Sequence, residues 1–349
     1  MAGRVQLVID PISREKVDID LPIRFRVAPE EMRRQLSLPP HIDLSDATVA
    51  KAVGLVYAAR SLDPALPIAF FGGVATRLLC PASNEASLGL RRSLHDLDLA
   101  CLHRQLKLVR QFLNEVGDRE GSALKIFETP GDRVFNSLGE GRRFRFHDLA
   151  AEEDRQIDLG TIDLVADEFR FCHRMDLRSD IENAPRATWT LSPALLLLAK
   201  LQFIQRIPAA DAPKVQDRVL APFGRHEVVI GPERKDVQDI LALLLDLPFG
   251  ETTGSISLSR IAEILSADWG FWRTVSLNLS MVDRSPLLAA LPVPLQDRIR
   301  ERIRQLQERV GALEPKRRFA FLSAQWWQDV DSPAVSDAPV RLPGAPTRP

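Results

Sequence analysis

The spacing of apolar and polar residues in the first half of the chain predicts a mixture of strands and helices. Two alternating runs rich in β-branched residues, at 5–9 and 17–27, predict an amino-terminal hairpin. From 44 to 59 the apolar positions recur with the period of a helix, and Ser45 stands where its cap should be. Further elements are predicted in this order: a buried strand at 67–71, a short helix at 74–79, an alternating strand at 94–100, an amphipathic helix at 105–116, an antiparallel pair at 123–127 and 142–146, and an extended run at 156–165.

After about residue 185 the apolar period becomes helical throughout. Ser192 and Pro193 suit the cap and the first position of a helix, and helices are predicted at 194–205, 233–245, 258–265 and 296–313. We therefore expect an α+β fold, with a mixed sheet, flanking helices and a helical carboxyl-terminal region. The predicted organisation is a hairpin extension at 1–40, an α+β domain at 41–185, a helical region at 186–331, and a disordered tail rich in Pro, Ala and Ser at 332–349.

The composition is typical of a folded chain without a strong overall electrostatic field. The 349 residues are 45% hydrophobic, enough for a sizeable core, and the 46 basic and 47 acidic residues nearly cancel. Any polyanion would therefore have to meet a local patch. The amino terminus does not resemble a signal peptide, and no apolar stretch reaches the ~20 residues of a membrane span. We expect a cytoplasmic protein without a membrane partner.

The three cysteines have no pattern of disulfides or metal ligands. Cys80, Cys101 and Cys172 are odd in number, widely spaced and set among apolar residues. We expect reduced, buried thiols.

An Asp-x-Asp pair on the predicted strand at 94–100 is the best candidate for chemistry. Aspartates two apart on a strand point to the same side roughly 6.6 Å apart, which suits shared Mg²⁺ or Mn²⁺ ions. Three such pairs occur, beginning at Asp18, Asp96 and Asp329. Only Asp96 and Asp98 follow a strand that ends in glycines, at Gly72 and Gly73. Such a turn lets backbone N–H groups approach a phosphate, and the following helix adds its positive end.

A third carboxylate should come from a neighbouring strand. Asp158 and Asp163 both lie in the extended run at 156–165, each flanked by apolar residues. They are five positions apart and so should face opposite sides of a regular strand, which lets only one reach the same ions.

These residues together resemble a known superfamily. Phe-Phe-Gly-Gly-Val-Ala at 70–75, the His-Asp-Leu-Asp-Leu of 95–99 after two arginines, and Ile-Asp-Leu at 162–164 are similar to motifs of the DNA polymerase beta superfamily of nucleotidyltransferases. The likeness is closer to the AbiEii-type toxins of type IV toxin–antitoxin systems and their relatives. Matching segments at 162–173, 195–202 and 234–240 come in the same order, so the resemblance covers about residues 65–245. The longer insert at 81–89 departs from the pattern.

The resemblance implies a nucleotidyltransferase-like fold and site. It favours Asp163 over Asp158 as the third metal ligand beside Asp96 and Asp98. The implied reaction moves a nucleoside monophosphate from a nucleoside triphosphate to an acceptor hydroxyl with Mg²⁺ or Mn²⁺ as cofactor. The resemblance leaves the acceptor open between RNA, a protein and a small molecule. A toxin-like member would modify transfer RNA and have an antitoxin partner. The alternative is a non-catalytic nucleotide-binding or protein-interaction module that keeps the fold.

Several Arg and Lys side chains near these motifs have two interpretations. Arg91 and Arg92 suit contact with a triphosphate, and they also suit simple solvation. Lys200 lies in an apolar helix and needs a partner, which is either a nucleotide phosphate or one of Asp236 and Asp239. Arginines at 142, 143 and 145 are candidates for a basic groove or for the exposed face of a strand. His95, His173 and the tryptophans at 269, 272, 326 and 327 are expected to be structural.

Overall fold

The computed structural model describes residues 33–313 together with 315 and 326–328, apart from gaps at 35, 61–65, 67, 95, 119–125, 128–142, 153–154, 185–188, 216 and 224. The predicted amino-terminal hairpin and the predicted tail therefore lie outside the described residues. So does His95.

A five-stranded mixed sheet organises the first part of the chain. Its spatial order is β1-β2-β5-β4-β3, and only β2 and β5 are parallel, the other neighbours being antiparallel. The strands are β1 (Ile68–Phe71), β2 (Leu97–Cys101), β3 (Ile126–Phe127), β4 (Arg143–Glu152) and β5 (Arg155–Ala166). The predicted antiparallel pair is confirmed as β3 with β4, and the predicted extended run is confirmed as β5. Strands β4 and β5 in addition form a long antiparallel hairpin.

Helices α1 (Ala47–Arg60), α2 (Gly72–Leu79) and α3 (Leu106–Asp118) belong to this part. All four residues of β1 are buried, as expected of a short, continuous apolar run, and α2 follows it without a loop. The cap prediction for α1 is wrong. The Asp46 side chain accepts hydrogen bonds from the backbone N–H groups of Thr48 and Val49, while Ser45 bonds to Asp43. A carboxylate one residue later reaches the free N–H groups of the first turn.

The second part of the chain contains more than helices. A hairpin of β6 (Glu168–Arg170) and β7 (Arg174–Asp176) leads to α4 (Arg178–Glu182) and α5 (Pro193–Leu201). A three-stranded sheet of order β8-β10-β9 then precedes five further helices. These elements are β8 (Gln205–Pro208), β9 (Arg218–Phe223), β10 (Glu227–Glu233), α6 (Arg234–Asp246), α7 (Leu258–Ala267), α8 (Trp269–Asp283), α9 (Pro286–Ala289) and α10 (Val293–Gly311).

The prediction of a helical period throughout this part is wrong between 205 and 233. The β-branched run at 228–230 forms the central strand β10, but its neighbours are short and interrupted by prolines and charges, which hides their alternation. Helix α8 was not predicted, because Asn, Ser, Thr and Val weaken its helical signal. Asp268 caps it by accepting a hydrogen bond from the N–H of Phe271.

One large cluster of buried apolar residues runs from Leu36 to Val310. The apolar core is therefore continuous across the predicted boundary near residue 185. All three cysteines are free and buried, as predicted. Burial raises the pKa of Cys101 to about 12, which keeps its thiol protonated. In the described part of the chain, no helix is both long enough and apolar enough to cross a membrane.

Candidate functional site

The predicted carboxylates meet along one row of the large sheet. In the antiparallel pairing of β1 and β2, Phe71 lies opposite Asp98, and in the parallel pairing of β2 and β5, Asp98 lies opposite Asp163. On the far side of β5, Asp163 lies opposite Arg145 of β4. Neighbouring strands are only about 4.8 Å apart, so three consecutive strands present two carboxylates and a guanidinium side by side.

Gly72 brings the start of α2 directly against Asp98. Its φ is +67°, in the left-handed region, so glycine suits this backbone. A Cβ at this position would overlap Oδ2 of Asp98 and lie 2.9 Å from its Cγ. The Gly72 main chain and the Asp98 carboxylate are therefore in contact, which a larger residue would prevent.

Of the three predicted carboxylates, Asp98 is the one whose negative charge is least offset by its neighbours. Burial raises its pKa to about 7, and the neighbouring charge of Asp163 adds to the rise; Lys200 and Arg92 only partly oppose it. Among the described residues, none donates a hydrogen bond to Asp98 or forms an ion pair with it. A partly buried carboxylate in this state is stabilised by a proton or by a cation.

Asp96 lies just before β2 and is exposed. Its Oδ1 accepts a hydrogen bond of 2.8 Å from the hydroxyl of Thr161 on β5. Thr161 is two residues before Asp163, so both pairs belong to the same side of the β2–β5 ladder. The sequence pattern did not single out Thr161, because a threonine in a strand is ordinary.

Asp163 is held by Arg145. The guanidinium donates from Nε to Oδ1 at 2.9 Å and from an Nη to Oδ2 at 3.2 Å, a side-on pair that engages both carboxylate oxygens. The Asp163 side chain is 14% exposed and that of Arg145 is 34% exposed. Arg145 was a candidate for a basic groove, and the structure instead pairs it with an acid of the site. Arg142 lies outside the described residues, and for Arg143 only the backbone is described.

Asp158 is placed elsewhere on β5. Its backbone lies opposite Leu149, beyond a register shift at Asp148, and not in the row of Asp98 and Asp163. Five residues of strand separate it from Asp163, about 16 Å along the backbone. Asp163 is thus the candidate that lies beside Asp98.

The oxygen donors of this row are of the kind that Mg²⁺ and Mn²⁺ prefer. Among the residues that the structure describes, no group of three or more His, Cys, Asp and Glu side chains is arranged to hold a metal ion. Asp163 is bound to Arg145 and Asp96 to Thr161, which leaves Asp98 as the carboxylate open to a cation. The residue types and the charge excess fit a divalent ion, while the side chains do not converge on a ready-made centre.

Arg92 and Lys200 form a buried ionic network with the carboxylates of α6. Arg92 binds Asp239 through two hydrogen bonds of 3.1 and 2.9 Å, and Lys200 lies 2.8 Å from Asp236 and 2.9 Å from Asp239. Burial alone would lower the pKa of Lys200, but Asp236 and Asp239 outweigh it and raise the pKa. Lys200 therefore has the ion pairs that its apolar helix requires.

The same network borders the glycine turn. A Cβ on Gly73 would overlap an Nη of Arg92 and lie 2.7 Å from its Cζ, so the guanidinium rests on the Gly73 backbone. Arg91, in contrast, is exposed and lies 3.5 Å from Asp43. Arg77 was missed by the sequence analysis. It is buried, pairs with Asp46 at 3.3 Å, and donates to the carbonyl oxygen of Arg92 at 2.6 Å.

The insert at 81–89 is fixed to α6. Asp246 accepts a 2.7 Å hydrogen bond from the N–H of Ala82, and the Gln238 side chain donates to the carbonyl oxygen of Gly89 at 2.7 Å. Both ends of the insert thus pack against the helix that carries Asp236 and Asp239.

The remaining candidates are structural in this fold. His173 is buried, with Nε2 2.8 Å from the Thr274 hydroxyl, and burial lowers its pKa to about 4. Trp272 donates from its indole N–H to the Val310 carbonyl at 2.8 Å, which ties α8 to α10. Trp326 and Trp327 contact each other edge to face.

Comparison of the chain with protein-family models, with curated proteins and with solved structures found no match.

Proposed function

We propose that the protein is a metal-dependent nucleotidyltransferase. In the proposed reaction, the oxygen of an acceptor hydroxyl attacks the α-phosphorus of a nucleoside triphosphate. The bond to the β-phosphate oxygen breaks, pyrophosphate leaves, and the hydroxyl proton passes to a carboxylate of the site or to water.

The observation that carries this proposal is the state of Asp98. It is a partly buried carboxylate without a hydrogen-bond donor among the described residues, with Asp163 opposite it on the next strand and the left-handed Gly72 against it. A protein with no use for this charge would gain stability by pairing it or replacing it. An uncompensated carboxylate beside a glycine turn at a helix start is what a site for cations and phosphates needs.

Each residue has a role that its surroundings support. Asp98 and Asp96 would hold Mg²⁺ or Mn²⁺, and Asp163 would complete the set and accept the acceptor proton once its oxygens are free. Gly72 and Gly73 would let main-chain N–H groups of α2 approach the triphosphate. Two divalent ions, when bound, would neutralise the triphosphate and polarise the phosphorus under attack. Arg92 would hold the glycine turn in place. The positive charge of Lys200 would favour the ionised form of Asp98.

The test is transfer of label from each α-labelled nucleoside triphosphate, with Mg²⁺, to separate pools of transfer RNA, total RNA, total protein and water. We expect the wild-type protein to label one of these pools, and the Asp98→Asn variant to lose at least ~10²-fold of that activity because it lacks the central ligand. Asp297→Asn, on an exposed position of α10, removes an aspartate elsewhere and should label like the wild type.

The non-catalytic module is the competing proposal, and one observation favours it. Both oxygens of Asp163 are engaged by Arg145 in this structure. A module of that kind would bind nucleotide with Mg²⁺ but transfer no label to any pool. Transfer that survives unchanged in Asp98→Asn would contradict the site itself.

A further inference from the structure

Arg145 and a metal ion need the same atoms. The guanidinium binds both carboxylate oxygens of Asp163, and Asp163 is the residue opposite Asp98. A cation shared by Asp98 and Asp163 needs at least one of these oxygens. A guanidinium and a divalent cation on one carboxylate repel each other, so the two occupants compete for Asp163.

The charges of the row show why an internal cation is useful. Asp98 of β2 lies opposite Asp163 of β5, Asp96 lies just before β2, and Arg145 of β4 pairs with Asp163 from the next strand. When no metal is bound, like charges this close destabilise the fold. A guanidinium on the neighbouring strand offsets one of them.

The Arg145 side chain can also move away from Asp163. Its side chain is 34% exposed, so the guanidinium can move into water without the penalty of stranding a buried charge. Asp239, in contrast, is held by Arg92 and Lys200 with a side chain only 4% exposed, and such a pair has no comparable route to solvent.

We propose that Arg145 is a built-in counter-ion of Asp163 that competes with a divalent cation for this carboxylate, so that Arg145 raises the cation concentration at which the site fills. This inference rests on the proposed function, because it assumes that Asp98 and Asp163 bind a cation.

The test is Mn²⁺ binding to the nucleotide-free protein, followed by electron paramagnetic resonance and by calorimetry. We expect Arg145→Gln to bind Mn²⁺ about fivefold more tightly than the wild type, because displacing a partly exposed ion pair costs roughly that factor. Arg145→Lys keeps the charge but not the two-point contact, so its affinity should lie between the two. Arg304→Gln removes a guanidinium paired with glutamates on α10 and should leave Mn²⁺ affinity unchanged.

Mn²⁺ affinity that falls or stays unchanged in the Arg145 variants would overturn the proposal. If Arg145 merely positions Asp163 as a ligand, both substitutions weaken Mn²⁺ binding or leave it as it is. Circular dichroism and thermal unfolding show whether each variant is folded, and Arg145→Lys retains a cation if Arg145→Gln is too unstable. In an Asp163→Asn background, Arg145→Gln should no longer increase the affinity, since the negative charge for which Arg145 and the cation compete is gone.

The two proposals fail in different ways. If Asp98→Asn abolishes Mn²⁺ binding but Arg145→Gln does not tighten it, the counter-ion role is wrong and the nucleotidyltransferase proposal stands. If neither the wild type nor any variant binds Mn²⁺, with or without nucleotide, both proposals are wrong.

Discussion

Replacing Gly72 with alanine tests the contact between the glycine turn and Asp98. The left-handed φ of +67° costs alanine about 1 kcal/mol of backbone strain. The added Cβ would overlap Oδ2 of Asp98, and moving a packed side chain aside typically costs about 1–3 kcal/mol. We expect Gly72→Ala to lower the free energy of unfolding by about 2–4 kcal/mol in total.

Gly89 provides a matched control. Its φ is also +67°, but a Cβ there would meet nothing within 4 Å, so Gly89→Ala shows the backbone strain alone. Both substitutions reduce the entropy of the unfolded chain equally. The difference between their free energies of unfolding, from urea titrations, therefore isolates the contact with Asp98. An additional Asp98→Ala change should recover most of that difference in Gly72→Ala. Equal losses for Gly72→Ala and Gly89→Ala would refute the contact.

Two further predictions concern charge. Because burial, and then Asp163, raise the pKa of Asp98 from 3.8 to about 7, the native metal-free protein keeps a proton that the unfolded chain releases above about pH 4. Its stability relative to Asp98→Asn should therefore fall as the pH rises from about 4 to about 7, as measured by urea unfolding; a flat difference over that window would contradict the raised pKa. Asp239→Asn leaves the buried Arg92 and Lys200 without their shared partner and should cost about 3–5 kcal/mol. Asp236→Asn should cost less in the same thermal or urea unfolding assay, because Lys200 keeps Asp239; equal losses would show that the network does not depend on Asp239.

The large sheet was predictable because its signals are local. The apolar run at 68–71, the alternation around Asp98 and the run that contains Asp163 each specify a strand over a few residues. The strand order was not predictable in the same way. That β5 pairs in parallel with β2, and in which register, depends on packing between segments more than 60 residues apart.

The same distinction between local signals and long-range packing applies to the candidate site. The sequence predicted Asp98 on a strand and the two glycines at the end of another, because alternation over a few residues and a glycine pair are local signals. The partners of the charges were harder to predict, since Asp163 had many arginines within reach along the chain. The sequence marked Arg145 only as a candidate for a basic groove or for the exposed face of a strand. Its pairing follows from the register between β4 and β5, which puts these two residues directly opposite.

The balance of charges around the turn constrains how a triphosphate can bind. Lys200 and Arg92 are the cations that lower the pKa of Asp98, and both are already paired with carboxylates of α6. A network with two positive and two negative charges offers an incoming polyanion little net attraction. The carboxylate row, in contrast, carries an excess of negative charge that repels phosphates until cations fill it. Nucleotide affinity should therefore depend steeply on divalent cations, because Arg92 and Lys200 are already paired with the carboxylates of α6.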